Sequence, residues 1–269
     1  MQKIIKPAFV AIMLLVLYLP ILILALYSFT TSGNIGTIHG FSLHNYITLF
    51  TTPDLRAMIF RTILLALGSA VLATILGTLG AIGSHYGKGL GTRSISVMNQ
   101  IPVVNADVVT GFSICIFVIV VLGVDKESYI PLVLGHTVLS APFVYLSVIP
   151  KLKQMDESLY EAARDLGASP MYALFKVVIP QIASGILSGF MMAITLSLDD
   201  YFIATYTKPA TFDTISTYVV NATKGSQTDI KTALWALSTI IFLLVILLVV
   251  GSNVISNKKE ATGGSGVEE

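Results

Sequence analysis

Six long apolar runs constrain the fold of this 269-residue chain more than any other feature. A helix of about 20 apolar residues crosses the hydrocarbon core of a bilayer. Backbone groups left unpaired in lipid are costly, so runs of this kind fold as helices there. The sequence therefore predicts an all-α polytopic membrane protein with six transmembrane helices. The runs are residues 8–29, 62–84, 108–124, 130–150, 177–198 and 233–254.

The third run is the shortest, and an acidic residue, Asp107, marks its N-terminal limit. Residues 108–124 carry no charge, and the run can be extended through residues 101–106 if Asp107 is tolerated inside it. A carboxylate at mid-membrane costs a few kcal/mol and usually faces a wet path or a partner cation. Asp107 is therefore a candidate for a functional role.

The composition and the scarcity of reactive residues exclude several classes of function. Apolar residues make up 54% of the chain and charged residues 12%, whereas a soluble domain carries about 25% charge. The net charge of +1 argues against a nucleic-acid partner. The single cysteine, Cys115, excludes an internal disulfide, and the four histidines have no metal-ligand spacing. We expect no catalytic residue, no metal and no cofactor bound by this chain, because it also lacks the sequence of a phosphate-binding loop.

A charged amphipathic segment separates the fourth and fifth runs. Apolar residues recur at helical spacing from Met155 to Leu166, and Gly167 suits the left-handed position that ends a helix. Ser169 is a preferred N-cap, and Pro170 suits the first helical position. The segment therefore predicts a short helix, a tight break and a second helix, which together form a knuckle that protrudes from the membrane.

The knuckle resembles the EAA motif of the permease subunits of ABC transporters. The motif reads Glu-Ala-Ala, three residues, Gly, nine residues, and then Ile-x-Leu-Pro. Its spacing is intact in this chain, where Val177 and Ile179 stand conservatively for the Ile and the Leu. In that family the loop is a coupling helix that docks into a groove of a cytoplasmic ATPase subunit, so the resemblance implies an ATPase-coupling role. The alternative is a capping box between Ser158 and Glu161, with a helix that merely packs on the surface. The matching residues are Glu161, Ala162, Ala163, Gly167 and Pro180.

Three stretches of the sequence point to one particular family among the ABC permeases. Residues 102–109, 159–180 and 196–202 are similar to the spermidine/putrescine permease family of type I ABC importers. The likeness extends from about residue 7 to about residue 257. It implies the type I ABC importer permease fold, half of a translocation pore, and hydrolysis of ATP with Mg²⁺ by a separate subunit. The implied partners are a homologous second permease, two ATP-binding subunits, an extracytoplasmic substrate-binding protein, a polyamine substrate and the lipid bilayer.

Acidic and aromatic residues beside two of the runs are candidates for a substrate path. Polyamines are flexible chains with several ammonium groups, which separated carboxylates and aromatic faces recognise by charge pairing and cation–π contact. The acids have a second interpretation, because a carboxylate near a membrane surface costs little free energy and can also cap a helix. The candidate residues are Asp107, Asp199, Asp200, Tyr201, Phe202 and Tyr206.

The basic residues predict an orientation. Ten Lys and Arg residues fall on the side of the knuckle and six on the other side, which predicts that both termini lie in the cytoplasm. The family resemblance implies that the membrane is the cell membrane of a bacterium. We expect an N-terminal transmembrane helix with an outer loop over residues 1–57. A permease core of five transmembrane helices follows over residues 58–256, with the EAA-like coupling loop over 151–180. Residues 257–269 are expected to form a disordered cytoplasmic tail.

Two other functions stay open. A permease of the same family for another small solute, such as an opine, iron or an inorganic anion, shares the fold and the EAA-like loop. A secondary transporter needs no ATPase and often has inverted repeats, which the sequence does not show. The intact EAA-like loop argues against this second alternative.

Overall fold

The protein is almost entirely helical over the residues that the computed structural model describes, which are 2–30, 40–87, 90–224, 232–247 and 250–251. Within these ranges the one β-type contact is an isolated bridge between Thr30 and Phe41, so the all-α prediction is confirmed there. The tail over 257–269 lies outside the described residues. The helices are α1 (Gln2–Ser28), α2 (His44–Thr51), α3 (Pro53–Tyr86), α4 (Leu90–Val104), α5 (Asp107–Ile116), α6 (Ile130–Gln154), α7 (Ser158–Asp165), α8 (Pro170–Ala173), α9 (Ile179–Gln181), α10 (Ala183–Asp199), α11 (Phe202–Thr207), α12 (Ile215–Lys224) and α13 (Thr232–Leu247).

The chain divides into two compact units. The first contains residues 1–59 and 218–247, and the second contains residues 60–217 and 248–269. Short π-helical turns occur only in the second unit among the described residues, where one extends α5 and the other joins α8 to α9. The domain limits given above from the sequence stay a prediction.

In the first unit, α2 closes the end of α1. The side-chain amide of Asn45 donates to the backbone carbonyl oxygens of Ser28 and Thr30, each at 3.0 Å. Carbonyls at the C-terminal end of a helix have no partner within it, so these bonds stabilise the end of α1. Tyr27 packs edge-on against Trp235 of α13, with ring centroids 5.6 Å apart. The apolar helices α1 and α13 therefore pack together with α2.

In the second unit, α6 is approached closely by two helices. A Cβ atom at Gly77 of α3 would lie 2.6 Å from the carbonyl oxygen of Ala141 and 2.7 Å from Cβ of Val144. A Cβ atom at Gly189 of α10 would lie 3.0 Å from Cα of Val144. Small residues allow this close approach, and Val144 is completely buried as a result. α3, α6 and α10 form the centre of the unit.

Length and apolarity identify the helices that can cross a membrane. α3 and α6 are each long and apolar enough to do so alone. Two bent pairs, Val97–Val104 with Asp107–Val121 and Pro170–Gln181 with Ala183–Asp199, each qualify when taken together. The described residues therefore contain two such spans, or four when each bent pair counts as one. Ile12–Ser28 and α13 are apolar but shorter.

The fifth run, and the third run when it is extended through residues 101–106, are not continuous helices, which corrects two predictions. A bend of 112° separates α4 from α5, where Ala106 is extended with ψ at 135°. Asp107 therefore opens α5 and does not lie inside one long helix. A bend of 71° falls at Ile182, so the fifth long helix begins at Ala183 and not at residue 177. The hydropathy of a run does not record a bend, because the residues on both arms are apolar.

Candidate functional site

A polar cavity of about 280 Å³ lies between the α4–α5 bend and the end of α10. Five of the six predicted path residues line it. The sixth, Tyr206, does not, and its ring instead packs edge-on against Phe112 at 5.8 Å. Irregular backbone at membrane depth is tolerated where it lines a cavity, and the break between α4 and α5 has this setting, because Val103 and Asp107 on its two sides are in the lining. The lining residues are Pro102, Val103, Asp107, Leu139, Phe143, Leu196, Asp199, Asp200, Tyr201 and Phe202.

Two carboxylates in the cavity have no partner among the residues that the structure describes. Asp107 and Asp199 are exposed, and neither side chain forms a hydrogen bond or ion pair with any residue that the structure describes. Asp107 lies in the first turn of α5, where the helix dipole favours negative charge. Asp199 is the last residue of α10, where the dipole disfavours it. The cavity therefore offers uncompensated negative charge to a cation.

Asp200 differs from its two neighbours because its carboxylate is already used. One oxygen accepts the backbone N–H of Ile203 at 3.2 Å, and the other accepts that of Ala204 at 2.7 Å. The side chain thus satisfies two N–H groups at the start of α11, which the helix itself leaves unpaired. The capping interpretation fits Asp200, whereas the path interpretation fits Asp107 and Asp199.

A buried polar chain lies next to Asp200 without a hydrogen bond to its carboxylate. His136 of α6 is fully buried, and its Nε2 lies 3.9 Å from the Asp200 carboxylate. Its Nδ1 lies 3.1 Å from the hydroxyl of Ser197, which is 3.2 Å from the hydroxyl of Ser69 on α3. The contact with Ser197 is a hydrogen bond between His136 of α6 and the neighbouring helix α10.

The apolar walls of the cavity escaped the sequence analysis. Leu139 and Phe143 of α6, one helical turn apart, form one wall, and Val103 of α4 forms another. They resemble every other apolar residue of their runs, so no sequence signal distinguishes them. The acids were found because a carboxylate in an apolar run is rare.

The EAA-like segment has the conformation that its sequence predicts. Gly167 ends α7 with φ at +87°. The N–H of Ala168 donates to the carbonyl oxygen of Ala163 at 3.0 Å, and the N–H of Gly167 donates to that of Arg164, also at 3.0 Å. This is the Schellman pattern of a helix that ends in a left-handed residue. The second helix begins as expected, with Pro170 as its first residue.

The caps of the two knuckle helices confirm one prediction and exclude one alternative. The hydroxyl of Ser169 accepts the N–H of Tyr172 at 3.2 Å, which confirms the predicted N-cap. The capping box at Ser158 is wrong, because Ser158 is already the first residue of α7. Asp156 accepts its N–H at 3.0 Å instead. Hydrogen bonds from the side chain and backbone of Ser158 lower the pKa of the Asp156 carboxyl.

The knuckle is exposed at its tip and anchored at its base. Leu166, beside the break, is 90% exposed, an unusual state for a large apolar side chain. At the base, His85 of α3 lies 3.3 Å from the carboxylate of Glu157. The adjacent rings of Tyr86 and Tyr160 have centroids 5.0 Å apart. The knuckle thus connects an exposed apolar surface to the end of a long apolar helix.

Broken apolar helices around a polar cavity, together with an exposed knuckle between two spans, define a polytopic membrane transport subunit. The chain belongs to the family of binding-protein-dependent transport system inner membrane components, whose sequence profile matches residues 86–261. It is an ABC importer permease, and its curated relatives include permeases named for polyamine transport.

Three comparisons give the extent of the likeness. The chain is 30% identical to the spermidine/putrescine transport system permease protein PotC of Haemophilus influenzae, over 94% of this chain and 96% of that protein. It is 31% identical to the putrescine transport system permease protein PotI of Escherichia coli, over 71% and 69% of the two chains. A bacterial alginate ABC transporter, solved in complex with an alginate pentasaccharide-bound periplasmic protein, has a chain with the same fold. The TM-score is 0.72 at 17% identity, covering 96% of this chain and 93% of that chain.

Proposed function

We propose that this chain is the permease of a polyamine importer, with spermidine or putrescine as the substrate. The observation that carries the proposal is the cavity in which Asp107 and Asp199 are unpaired and the rings of Tyr201 and Phe202 form part of the lining. The two rings pack edge-on with centroids 5.3 Å apart. An ammonium group gains charge pairing from the acids and about 0.5–2 kcal/mol from each aromatic face. A chain with several ammonium groups uses both acids at once.

The names of the relatives support the same substrate class. The Haemophilus influenzae and Escherichia coli proteins are named for spermidine/putrescine and putrescine transport. A permease for an inorganic anion is disfavoured, because none of the described residues that line the cavity is basic and three are acidic. Opines and iron stay as alternatives within the family.

The test is ATP hydrolysis by the importer reconstituted in vesicles with its substrate-binding protein. We expect spermidine or putrescine to stimulate hydrolysis, with an opine, ferric iron and phosphate as parallel additions. Stimulation by one of the other solutes and not by a polyamine would overturn the substrate assignment while leaving the permease class intact.

We propose that the knuckle couples this chain to two separate ATP-binding subunits, which bind ATP and Mg²⁺ in its place. The exposed Leu166 suits an apolar groove of a partner. The contact between Glu157 and His85 gives a mechanical route from the knuckle to α3. A homologous second permease would complete the pore, and a substrate-binding protein would deliver the solute from outside.

Gly167→Val should reduce transport about tenfold or more. Space does not limit the substitution, because a Cβ atom at Gly167 meets nothing within 4 Å. The left-handed φ of Gly167 limits the substitution instead, since this conformation costs a non-glycine residue about 1–3 kcal/mol and costs β-branched residues most. Uptake by matched amounts of membrane-inserted protein, with co-purification of the ATPase, measures the effect.

Two variants control for the change at Gly167. Gly167→Asn should retain most activity, because Asn tolerates the left-handed region. Gly83→Val adds the same side chain at a glycine of α3 that is also open and has no positive φ. Equal transport and ATPase association in Gly167→Val and the unsubstituted protein would contradict the coupling role.

We propose six membrane spans with both termini in the cytoplasm. The count adds Ile12–Ser28 and α13 to α3, α6 and the two bent pairs. In a Cys115→Ala background, cysteine at Thr211 should react with a membrane-impermeant thiol reagent from outside, and cysteine at Ser94 should not. The reverse pattern would invert the orientation, and labelling of both positions would refute the count.

A further inference from the structure

A second cavity, of about 320 Å³, lies in the second unit and shares no residue with the polar cavity. α3 contributes one wall and the first turn of α6 contributes another, with Phe212 completing the lining. Its character is opposite to that of the first cavity, because it has one basic residue, no acid and an otherwise apolar surface. The lining residues are Arg61, Leu64, Leu65, Gly68, Tyr129, Leu132, Val133 and Phe212.

The cavity is an elongated apolar groove. Arg61, Leu65 and Gly68 are spaced by four and three residues, so they follow one face of α3. At 1.5 Å per residue this stripe is roughly 10 Å long. A Cβ atom at Gly68 meets nothing within 4 Å, so the groove is open at that point. Leu132 and Phe212 are buried beneath it and form a firm apolar floor.

The groove has a cation at one end that nothing in the described chain neutralises. Arg61 is exposed and forms no hydrogen bond or ion pair with any described residue. Tyr129, also exposed, packs edge-on against Phe212 with centroids 5.4 Å apart. Arg and Tyr at the ends of apolar runs are typical of the level where lipid headgroups meet the hydrocarbon core.

The wall that carries Phe212 is held in place independently of any ligand. The Nζ of Lys208 donates to the carbonyl oxygen of Phe212 at 2.8 Å and pairs with the Asp213 carboxylate at 3.0 Å. The N–H of Ala210 donates to the carboxylate of Glu127 at 3.0 Å. Lys208 is thus already paired, so Arg61 is the cation of this groove that remains available to a ligand.

We propose that this groove binds one anionic phospholipid of the bilayer, with the phosphate on Arg61 and an acyl chain along Leu65, Gly68 and Leu132. A guanidinium offers two parallel N–H donors that match phosphate oxygens. The apolar floor matches a hydrocarbon chain and offers nothing to a polyamine, so the site is distinct from the proposed transport path. A lipid fits both halves of the groove, whereas an inorganic anion fits only Arg61.

The test is native mass spectrometry of the intact purified importer after incubation with phosphatidylglycerol or with phosphatidylcholine of the same acyl chains. We expect the unsubstituted complex to retain phosphatidylglycerol about tenfold more tightly, a preference worth about 1.4 kcal/mol. Arg61→Gln should remove the preference, and Gly68→Leu should reduce retention of both lipids by filling the groove. Arg56→Gln, an exposed arginine of α3 outside the groove, is the matched control and should behave as the unsubstituted complex does.

The outcomes separate the occupants of the groove. Equal retention of the two lipids by the unsubstituted complex, or a preference that survives in Arg61→Gln, would overturn the proposal. Displacement of the lipid by excess inorganic phosphate would show that the site recognises an anion and not a lipid, which would also overturn the proposal. No retained lipid at all would also overturn the proposal and would indicate that a protein segment covers the groove in the complex. If the Gly68→Leu complex fails to assemble, the result for Arg61→Gln decides the question. The Arg61 side chain is exposed, so its replacement should not prevent assembly.

Discussion

Replacing Asp107 and Asp199 together with Asn should lower polyamine uptake about a hundredfold, and each single replacement about tenfold. Asn keeps the size of the side chain and removes the charge. An ammonium group 4 Å from a carboxylate gains about 4 kcal/mol at an effective dielectric constant of 20, before desolvation is subtracted. A net loss of about 1.4 kcal/mol for each acid is a factor of ten. The two losses add if the acids meet different ammonium groups of one substrate.

Uptake of labelled spermidine and putrescine, at matched levels of assembled importer, measures this effect. Asp54→Asn is the control, because Asp54 is an exposed acid in the first turn of α3 outside the cavity. Uptake by the double variant equal to that of the control would remove the acidic path from the mechanism, and the polyamine assignment would then depend on the named relatives alone.

Asp200→Asn should reduce the amount of folded importer, whereas the Asp107 and Asp199 replacements should reduce uptake. Its carboxylate accepts two backbone N–H groups, and an amide has one oxygen to replace it. Leaving a buried N–H unpaired costs about 1–3 kcal/mol. We therefore expect less folded importer and a lower melting temperature for Asp200→Asn, with uptake per assembled complex changed less than in Asp199→Asn.

Gly77→Ala should destabilise the protein by about 2 kcal/mol or more. The added methyl would lie 2.6 Å from the carbonyl oxygen of Ala141 and 2.7 Å from Cβ of Val144, so α3 and α6 have to separate. Overpacking of this kind typically costs 1–3 kcal/mol. The melting temperature of the detergent-solubilised importer and the yield of assembled complex measure it.

Two glycines of the same helix provide matched controls. At Gly80 the added methyl would lie 3.7 Å from the ring of Tyr145, an ordinary contact, and at Gly68 it meets nothing. Alanine is favoured over glycine in a helix by about 1 kcal/mol, so both controls should be neutral or stabilising. A Gly77→Ala protein as stable as these two would show that α3 and α6 are not packed as closely as the structure has them.

The knuckle shows how much of this protein was predictable from the sequence. Ser169, Pro170 and Gly167 each act on backbone groups within a few residues, so their sequence positions predict the cap, the helix start and the left-handed break. The alternative at Ser158, which the structure excludes, is equally local. Asp156 lies two residues earlier and takes the same N–H group, a competition that a motif does not decide.

The two bends show where sequence reasoning fails. Hydropathy reports which residues avoid water, and each bent pair is apolar enough to cross a membrane when its two arms are taken together, so hydropathy does not locate the breaks at Ala106 and Ile182. The direction of each arm depends on the helices that it packs against. The run lengths therefore predicted apolar helices, and only the packing decided that two of them are broken.

The helical membrane fold and the EAA-like knuckle could be predicted from the sequence alone, because apolar length, capping and glycine conformation are local properties. It also singled out Asp107, Asp199 and Asp200, because acids are rare in apolar runs. Three facts required the folded structure: the acids share one cavity, the carboxylate of Asp200 accepts N–H groups of α11, and Tyr206 lies outside the lining. Those facts depend on how helices distant in the chain pack together, and the packing of α4, α6 and α10 places the acids side by side.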